Sequence, residues 1–327
     1  MNYRNITDLS ADAQRFAREN TIDPDLIVGI PRSGLLVANL LCLYFDIPMT
    51  DVDGLCEGNL IDTGERYDDA GSIRDVDSVL VVDDSVKSGR QMKKTRNRLD
   101  ELELPFDVSY GAIYVSPWGH EYVDHWAEVV SPPRVFEWNI THHPVLQNSC
   151  VDIDGVLCRD PTPEENDDGE RYREFLSTVE PDIIPNQRIG HLVTSRLEKY
   201  RAETEEWLDE HGVRYDTLVM MDLPSKEARQ ERGNHARYKA DAYDSTGAAL
   251  FIESDPRQAA EISRRTSKPV FCYETKEMIR PGHARRVYRT AERAVSKLRE
   301  SPAAFPAIAG KFLYYRGYHM ASKLLRF

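Results

Sequence analysis

The stretch VLVVDDSVKSGRQM, residues 79–92, sets two adjacent carboxylates, Asp83 and Asp84, at the end of an apolar β-branched run and follows them with a loop of small and basic residues. Paired carboxylates at such a point can accept hydrogen bonds from a vicinal diol such as a ribose 2,3-pair. The loop Ser85, Val86, Lys87, Ser88, Gly89 opens a predicted helix near Arg90 and offers backbone N–H groups to a phosphate. A second corner of the same kind, IVGIPRSGLLVA from Ile27, places a tight turn at Arg32, Ser33 and Gly34 between a predicted strand and a predicted helix. Two anion-binding corners and a diol site imply one ribose ligand carrying two phosphate ends.

A different pair lies further along. CVDIDGVLC places Asp152 and Asp154 two residues apart at a predicted strand end, where their side chains are expected on the same side. Carboxylates so placed can share a Mg²⁺, one attacking a phosphoryl group and the other shuttling a proton.

These residues need elements to hold them. Apolar, β-rich runs recur at DLIVGI, SVLVVDD, YGAIYV, SCVDIDGV, IGHLVTS, DTLVMM and AALFIESD, mostly separated by amphipathic or polar stretches. That alternation predicts an α/β chain with two doubly wound parallel-sheet domains. Prolines and polar residues in SPPRVFEWNITHHPVLQN put the boundary after residue 148, giving domains 1–148 and 149–280. From residue 281 to 327 the chain turns arginine-rich. Val287, Ala291, Val295 and Leu298 fall on one face of a predicted helix there.

Length and charge narrow the classes. A chain of 327 residues exceeds the usual size of one domain, and a net charge of -13 argues against a nucleic-acid partner. The five cysteines form no C-x-x-C spacing, so neither a disulfide framework nor a zinc site is expected, and Cys150 and Cys158 read as packing residues. The longest apolar run, GLLVANLLCLYF, is shorter than the roughly 20 residues of a membrane span, and MNYRNITDLS lacks the pattern of a signal peptide. A cytoplasmic protein is expected.

VLVVDDSVKSG resembles the signature of the type I phosphoribosyltransferases, which use 5-phosphoribosyl pyrophosphate (PRPP), with Ser88 where the family often has threonine. VGIPRSG is similar to that family's pyrophosphate loop. The resemblance implies PRPP contacts from Asp83, Asp84, Ser85, Val86, Lys87, Ser88 and Gly89, and from Arg32, Ser33 and Gly34. The family's mobile loop would fall within residues 56–76, where Arg66 and Arg74 are the only cations and Arg66 is the candidate contact to departing pyrophosphate. Trp138 reads either as a stacking surface for the acceptor or as a core residue.

D-x-D-G-V-L resembles the first motif of the haloacid dehalogenase (HAD) phosphatase superfamily. The resemblance implies Thr194 in HLVTSR as the phosphoryl-binding hydroxyl and Lys239 in YKADAY as the neutralising cation, with Lys226 as a weaker candidate. Mg²⁺ would be held by Asp152 and Asp154 with Glu253 or Asp255, although relatives often carry a second acid where this chain has Ser254. Only about 35 residues separate Gly155 from Gly190, too few for a large cap domain. An open site of that kind suits a bulky substrate.

Joined, the halves imply transfer of 5-phosphoribosyl to an acceptor and then removal of the 5-phosphate. The pairing resembles the phosphoribosyltransferase and phosphatase pairs that install ribofuranose in surface polysaccharides, which implies a glycan or lipid-linked glycan acceptor. Two alternatives stay open: a nucleobase phosphoribosyltransferase joined to a nucleotidase, and a PRPP-sensing domain on a phosphatase. The tail, with Arg285, Arg286, Arg289 and Arg293 leading into KFLYYRGYHMASKLLRF, is expected either to touch an anionic membrane or to pack on its own domain.

Overall fold

The computed structural model describes residues 1–61, 73, 76–102, 104–228 and 235–281. Arg66, Arg74 and the basic tail from residue 282 onward lie outside the described residues. The chain divides into two compact units, Met1–Ile140 and Thr141–Phe327, so residues 141–148 go with the second unit.

In the first unit, five parallel strands line up as β3-β2-β4-β5-β6, formed by Leu26–Gly29 (β2), Met49–Asp51 (β3), Ser78–Val86 (β4), Asp107–Val115 (β5) and His125–Val129 (β6). β4 is central, and its continuous apolar run has a physical reason: both faces are covered. Leu80 and Val82 pack with Leu9, Phe16, Val37 and Leu41, whereas Val79 and Val81 pack with Met92, Leu99, Val52 and Leu55. These partners come from the helices Ile6–Glu19 (α1), Gly34–Phe45 (α2), Val52–Glu57 (α3) and Arg90–Asp100 (α4). α1 starts in a capping box, with Asn5 accepting from the Asp8 N–H while Asp8 accepts from the Asn5 N–H. A small parallel pair, Asn2–Arg4 (β1) with Arg134–Phe136 (β7), lies apart from the main sheet.

The second unit has a six-stranded sheet in the order β10-β9-β8-β11-β12-β13. Its strands are Ser149–Val151 (β8), Ile189–Leu197 (β9), Tyr215–Met221 (β10), Leu250–Glu253 (β11), Val270–Cys272 (β12) and Glu277–Ile279 (β13), all parallel except β13 against β12. The described helices are Glu170–Thr178 (α5), Arg201–Glu210 (α6), His235–Thr246 (α7) and Pro256–Thr266 (α8). Between β8 and β9 the only α-helix is the nine-residue α5. Each main sheet reverses its order once, between β2 and β4 and between β8 and β11, and such switch points are where open α/β sheets bind ligands. Among the described residues no helix is long and apolar enough to cross a membrane.

Candidate functional sites

The first site forms at the carboxyl ends of β2 and β4. The loop after β2 exposes Pro31 and Arg32, joined by a cis peptide bond, and leads through Ser33 into α2. The loop after β4 exposes Lys87 and Ser88, and Gly89 caps α4 in the left-handed conformation at φ 68°, where glycine is the favoured residue. Ser116 Oγ anchors this loop by donating to the Lys87 carbonyl at 2.7 Å. Arg32, Ser33 and Gly34 thus stand on one corner of the switch point and Lys87 to Gly89 on the next, while Ser85 and Val86, expected in the loop, stay in β4, paired with Tyr114 and Val115 of β5.

Gly34 has a packing reason to be glycine. A Cβ there would lie 2.7 Å from the Val82 carbonyl oxygen and 3.2 Å from Asp83 Cα, so α2 begins closer to β4 than any side chain allows. Gly34→Ala is expected to push the corner off the strand, costing about 1–3 kcal/mol. Urea denaturation checks this, and an unchanged midpoint would show that the corner yields freely.

Between the corners lie the two acids, both buried, with Asp84 only 4% exposed. Asp83 Oδ1 accepts from the Asp84 N–H at 2.8 Å. Burial first, and then the charge of Asp84, hold the Asp83 carboxyl well above the usual carboxylate range. Asp84 is gripped from two sides: Ser33 Oγ donates to Oδ1 and Trp138 Nε1 donates to Oδ2, each at 2.8 Å. Trp138 therefore does not serve as a bare stacking platform, since its ring also lies on Phe136 with centroids 4.9 Å apart. Arg134, on β7, is a residue the sequence reading missed. It is 8% exposed, burial lowers its pKa, and Asp84 and Asp83 oppose that shift. One guanidinium nitrogen, Nη1, is buried without a hydrogen-bond partner.

The second site forms beyond β8 and β11. β8 stops at Val151, so Asp152 and Asp154 do not share a strand face. A tight turn positions them instead: the Ile153 carbonyl accepts from the N–H groups of Val156 and Leu157, and Gly155 donates to the Cys158 carbonyl. Asp152 accepts from its neighbour Ile153 N through Oδ1 and from Lys239 Nζ through Oδ2 at 2.6 Å. Lys239 also donates to Glu253 Oε2 at 2.7 Å. Burial pushes the Asp152 carboxyl up, with Lys239 as the main opposing charge.

Asp154 faces a different cation, the fully buried Arg196, whose Nη2 donates to Oδ1 at 2.7 Å and whose Nε lies 3.2 Å from both carboxylate oxygens. Arg196 was not foreseen, although it lies two residues past Thr194 on β9. Thr194 is itself buried, and its Oγ1 accepts from the Arg196 N–H. Lys226 stays out of the cluster, with its Nζ donating to the Asn166 carbonyl. Cys150 and Cys158 are buried and free.

Asp255 is the N-cap of α8, its Oδ1 accepting from Arg257 N and Gln258 N at 2.8 Å, while its own N–H donates to Glu253 Oε1 at 3.1 Å. Glu253 is the acid that lies beside Asp152. Ser254 packs where a Cβ on Gly155 would come within 2.5 Å of it, so a small residue fits that position. Among the described residues, no group of three or more His, Cys, Asp or Glu side chains is gathered to hold a metal ion. The donor chemistry still suits a hard cation, because three carboxylates, Asp152, Asp154 and Glu253, meet only two cations, Lys239 and Arg196.

Residues 2–105 match the family model described as phosphoribosyl transferase domain. No curated protein matches the chain. Among solved structures, the chain is similar to the Helicobacter pylori xanthine-guanine-hypoxanthine phosphoribosyltransferase, at 13% identity and a TM-score of 0.33, covering 42% of this chain and 92% of that one. It is also similar to a purine phosphoribosyltransferase from Pyrococcus horikoshii Ot3, at 21% identity and a TM-score of 0.32 with the same coverage. A third likeness is the Trypanosoma cruzi hypoxanthine phosphoribosyltransferase, at 13% identity and a TM-score of 0.25, covering 38% of this chain and 75% of that one. The matched residues take in the turn Arg32 to Gly34, the acid pair Asp83 and Asp84 and the loop that follows β4, so the likeness to the phosphoribosyl transferase domain falls on the first unit.

Proposed function

We propose that the chain transfers 5-phosphoribosyl from PRPP to an acceptor, releasing pyrophosphate, and that its second unit then removes the ribose 5-phosphate. The observation that carries the first step is the acid pair at the β2/β4 switch point, flanked by the loops after β2 and β4 and lying inside the family match. In this reading Asp83 and Asp84 receive the ribose hydroxyls, the Ser85 to Gly89 segment receives one phosphate end, and Arg32, Ser33 and Gly34 receive the other. Arg66 remains the proposed contact to departing pyrophosphate.

The second step is assigned to a HAD-type phosphatase site. Asp152 is the nucleophile, backed by Lys239 and Glu253, and Asp154 moves the proton while Arg196 fixes its orientation. Thr194, on the neighbouring strand β9 two residues past its last pairing with β8, is the hydroxyl assigned to the phosphoryl oxygens. Mg²⁺ would be held by Asp152 and Asp154, and when bound it would neutralise charge on the transferring phosphoryl group. Because α5 is the only α-helix between β8 and β9, the site carries no cap domain there, which favours a bulky acceptor such as a glycan or lipid-linked glycan over a small metabolite. The basic tail is proposed as the contact to an anionic membrane surface.

Incubation with labelled PRPP and a panel of glycans and nucleobases tests the reading. Label transferred to a glycan supports it, and label on a nucleobase would select nucleotide salvage instead. Asp84→Asn should suppress all transfer. The amide can keep its oxygen on Trp138 Nε1 and turn its NH₂ to the Ser33 hydroxyl, which also accepts, so the fold is kept while one charged acceptor for the ribose hydroxyls is lost, and at least about a tenfold loss of PRPP binding is expected. Tight PRPP binding without transfer to any member of the panel would favour a sensor.

A further inference from the structure

We propose that Trp138 is a positioning residue of the phosphoribosyl site, holding the Asp84 carboxylate in the plane in which it meets the ribose diol. The inference rests on the reading of the first unit as a PRPP site. A carboxylate at a strand end turns easily about its last torsion, which has a broad, two-fold profile. Here two donors fix it. Ser33 comes from the loop after β2 and Trp138 from the segment after β7, and they take one oxygen each at 2.8 Å.

An ionised carboxylate has about four lone-pair sites, and two donors leave two of them open, enough for the two hydroxyls of a vicinal diol. The donor on the Trp138 side is itself immobilised. Its indole lies parallel to Phe136 within 8°, Phe136 stacks on Tyr114 at 5.2 Å, and Tyr114 Oη donates to Asp12 Oδ2 at 2.8 Å. A stack rooted in α1 therefore sets where the indole N–H points. Groups placed this way keep their geometry before the ligand arrives, so the ligand need not order them on binding.

The stack also explains why the site recruits a tryptophan. Phenylalanine would keep an aromatic ring on Phe136 while losing the N–H and part of the indole's area. Trp138→Phe should therefore weaken PRPP binding about tenfold, the value of one hydrogen bond to a charged group, while the protein keeps its circular dichroism spectrum. Isothermal titration of the full chain with Mg²⁺ and PRPP reads this directly. A second measurement needs no change at Trp138: of the four indole N–H resonances of the labelled chain, one should move on PRPP addition and the same one in Asp84→Asn. Unmodified protein that binds PRPP, together with folded Trp138→Phe that binds it equally well, would overturn the positioning role and leave the PRPP reading intact. An indole set that Asp84→Asn leaves unmoved would overturn the role as well. Unmodified protein that fails to bind PRPP would overturn the reading itself.

Discussion

Replacing Lys239 with methionine should lower the stability of the second unit by about 3–5 kcal/mol, the usual cost of leaving a buried charge without its partner. Lys239 Nζ donates to two carboxylates, Asp152 and Glu253, and all three side chains are at most 5% exposed. Methionine matches the length of the stem but offers no charge, so the two acids would face each other across a dry gap. Part of the loss is self-limiting. Burial already pushes Asp152 up, and without Lys239 it takes a proton more readily.

The double variant Lys239→Met with Glu253→Gln removes one of the two stranded charges and should regain a measurable part of the stability. Trp207 is the one tryptophan in residues 141–327, and it is buried with its Nε1 donating to the Val179 carbonyl at 2.7 Å, so its fluorescence in urea follows this unit rather than the first. A Lys239→Met midpoint equal to that of the unmodified chain would show that the cluster is solvated and that the buried ion pairs do not exist in solution.

The central strands were legible because their apolar, β-branched runs are long enough to exceed chance, as in SVLVVDD and IGHLVTS, which became β4 and β9. Among the three-residue strands, β8, inside the longer apolar run SCVDIDGV, was legible; β1, β3, β7, β12 and β13 were not, since a period of two cannot show itself in three positions. The same limit hid part of the first site. Trp138, just past β7, bonds Asp84 from 54 positions further along the chain, Arg134 of β7 sets its charge near the pair, and nothing local in RVFEWN reports that meeting.

Arg196 is a different omission. Thr194 and Arg196 are two apart on one strand, the spacing that was read as a shared face for Asp152 and Asp154, so the arginine carried the same signal and was passed over. The spacing argument misfired at Asp152 itself because β8 ends one residue earlier and a turn takes over. Asp255 carries two signals. An acid at the end of a strand reads as a ligand, and Asp followed by Pro256 also reads as a helix start, the role in which Asp255 caps α8.

The largest effect on activity is expected from Asp152→Asn, which on the proposed two-step reading should still transfer phosphoribose but leave its 5-phosphate in place. Loss of a covalent nucleophile typically costs about a thousandfold or more in rate, enough to trap the phosphorylated product through an ordinary assay. The change is nearly isosteric and removes a charge from a cluster in which two carboxylates share one ammonium, so Lys239 keeps Glu253 as a full partner and the unit should stay folded. Mass spectrometry of the acceptor would then find a phosphopentose with Asp152→Asn and a pentose with the unmodified chain. The acid pair of the first unit lies in a separate compact unit, and its chemistry needs nothing from Asp152. Normal yields of the dephosphorylated pentose from purified Asp152→Asn would therefore exclude Asp152 as the nucleophile, and folded Asp152→Asn that transfers nothing would exclude two independent steps.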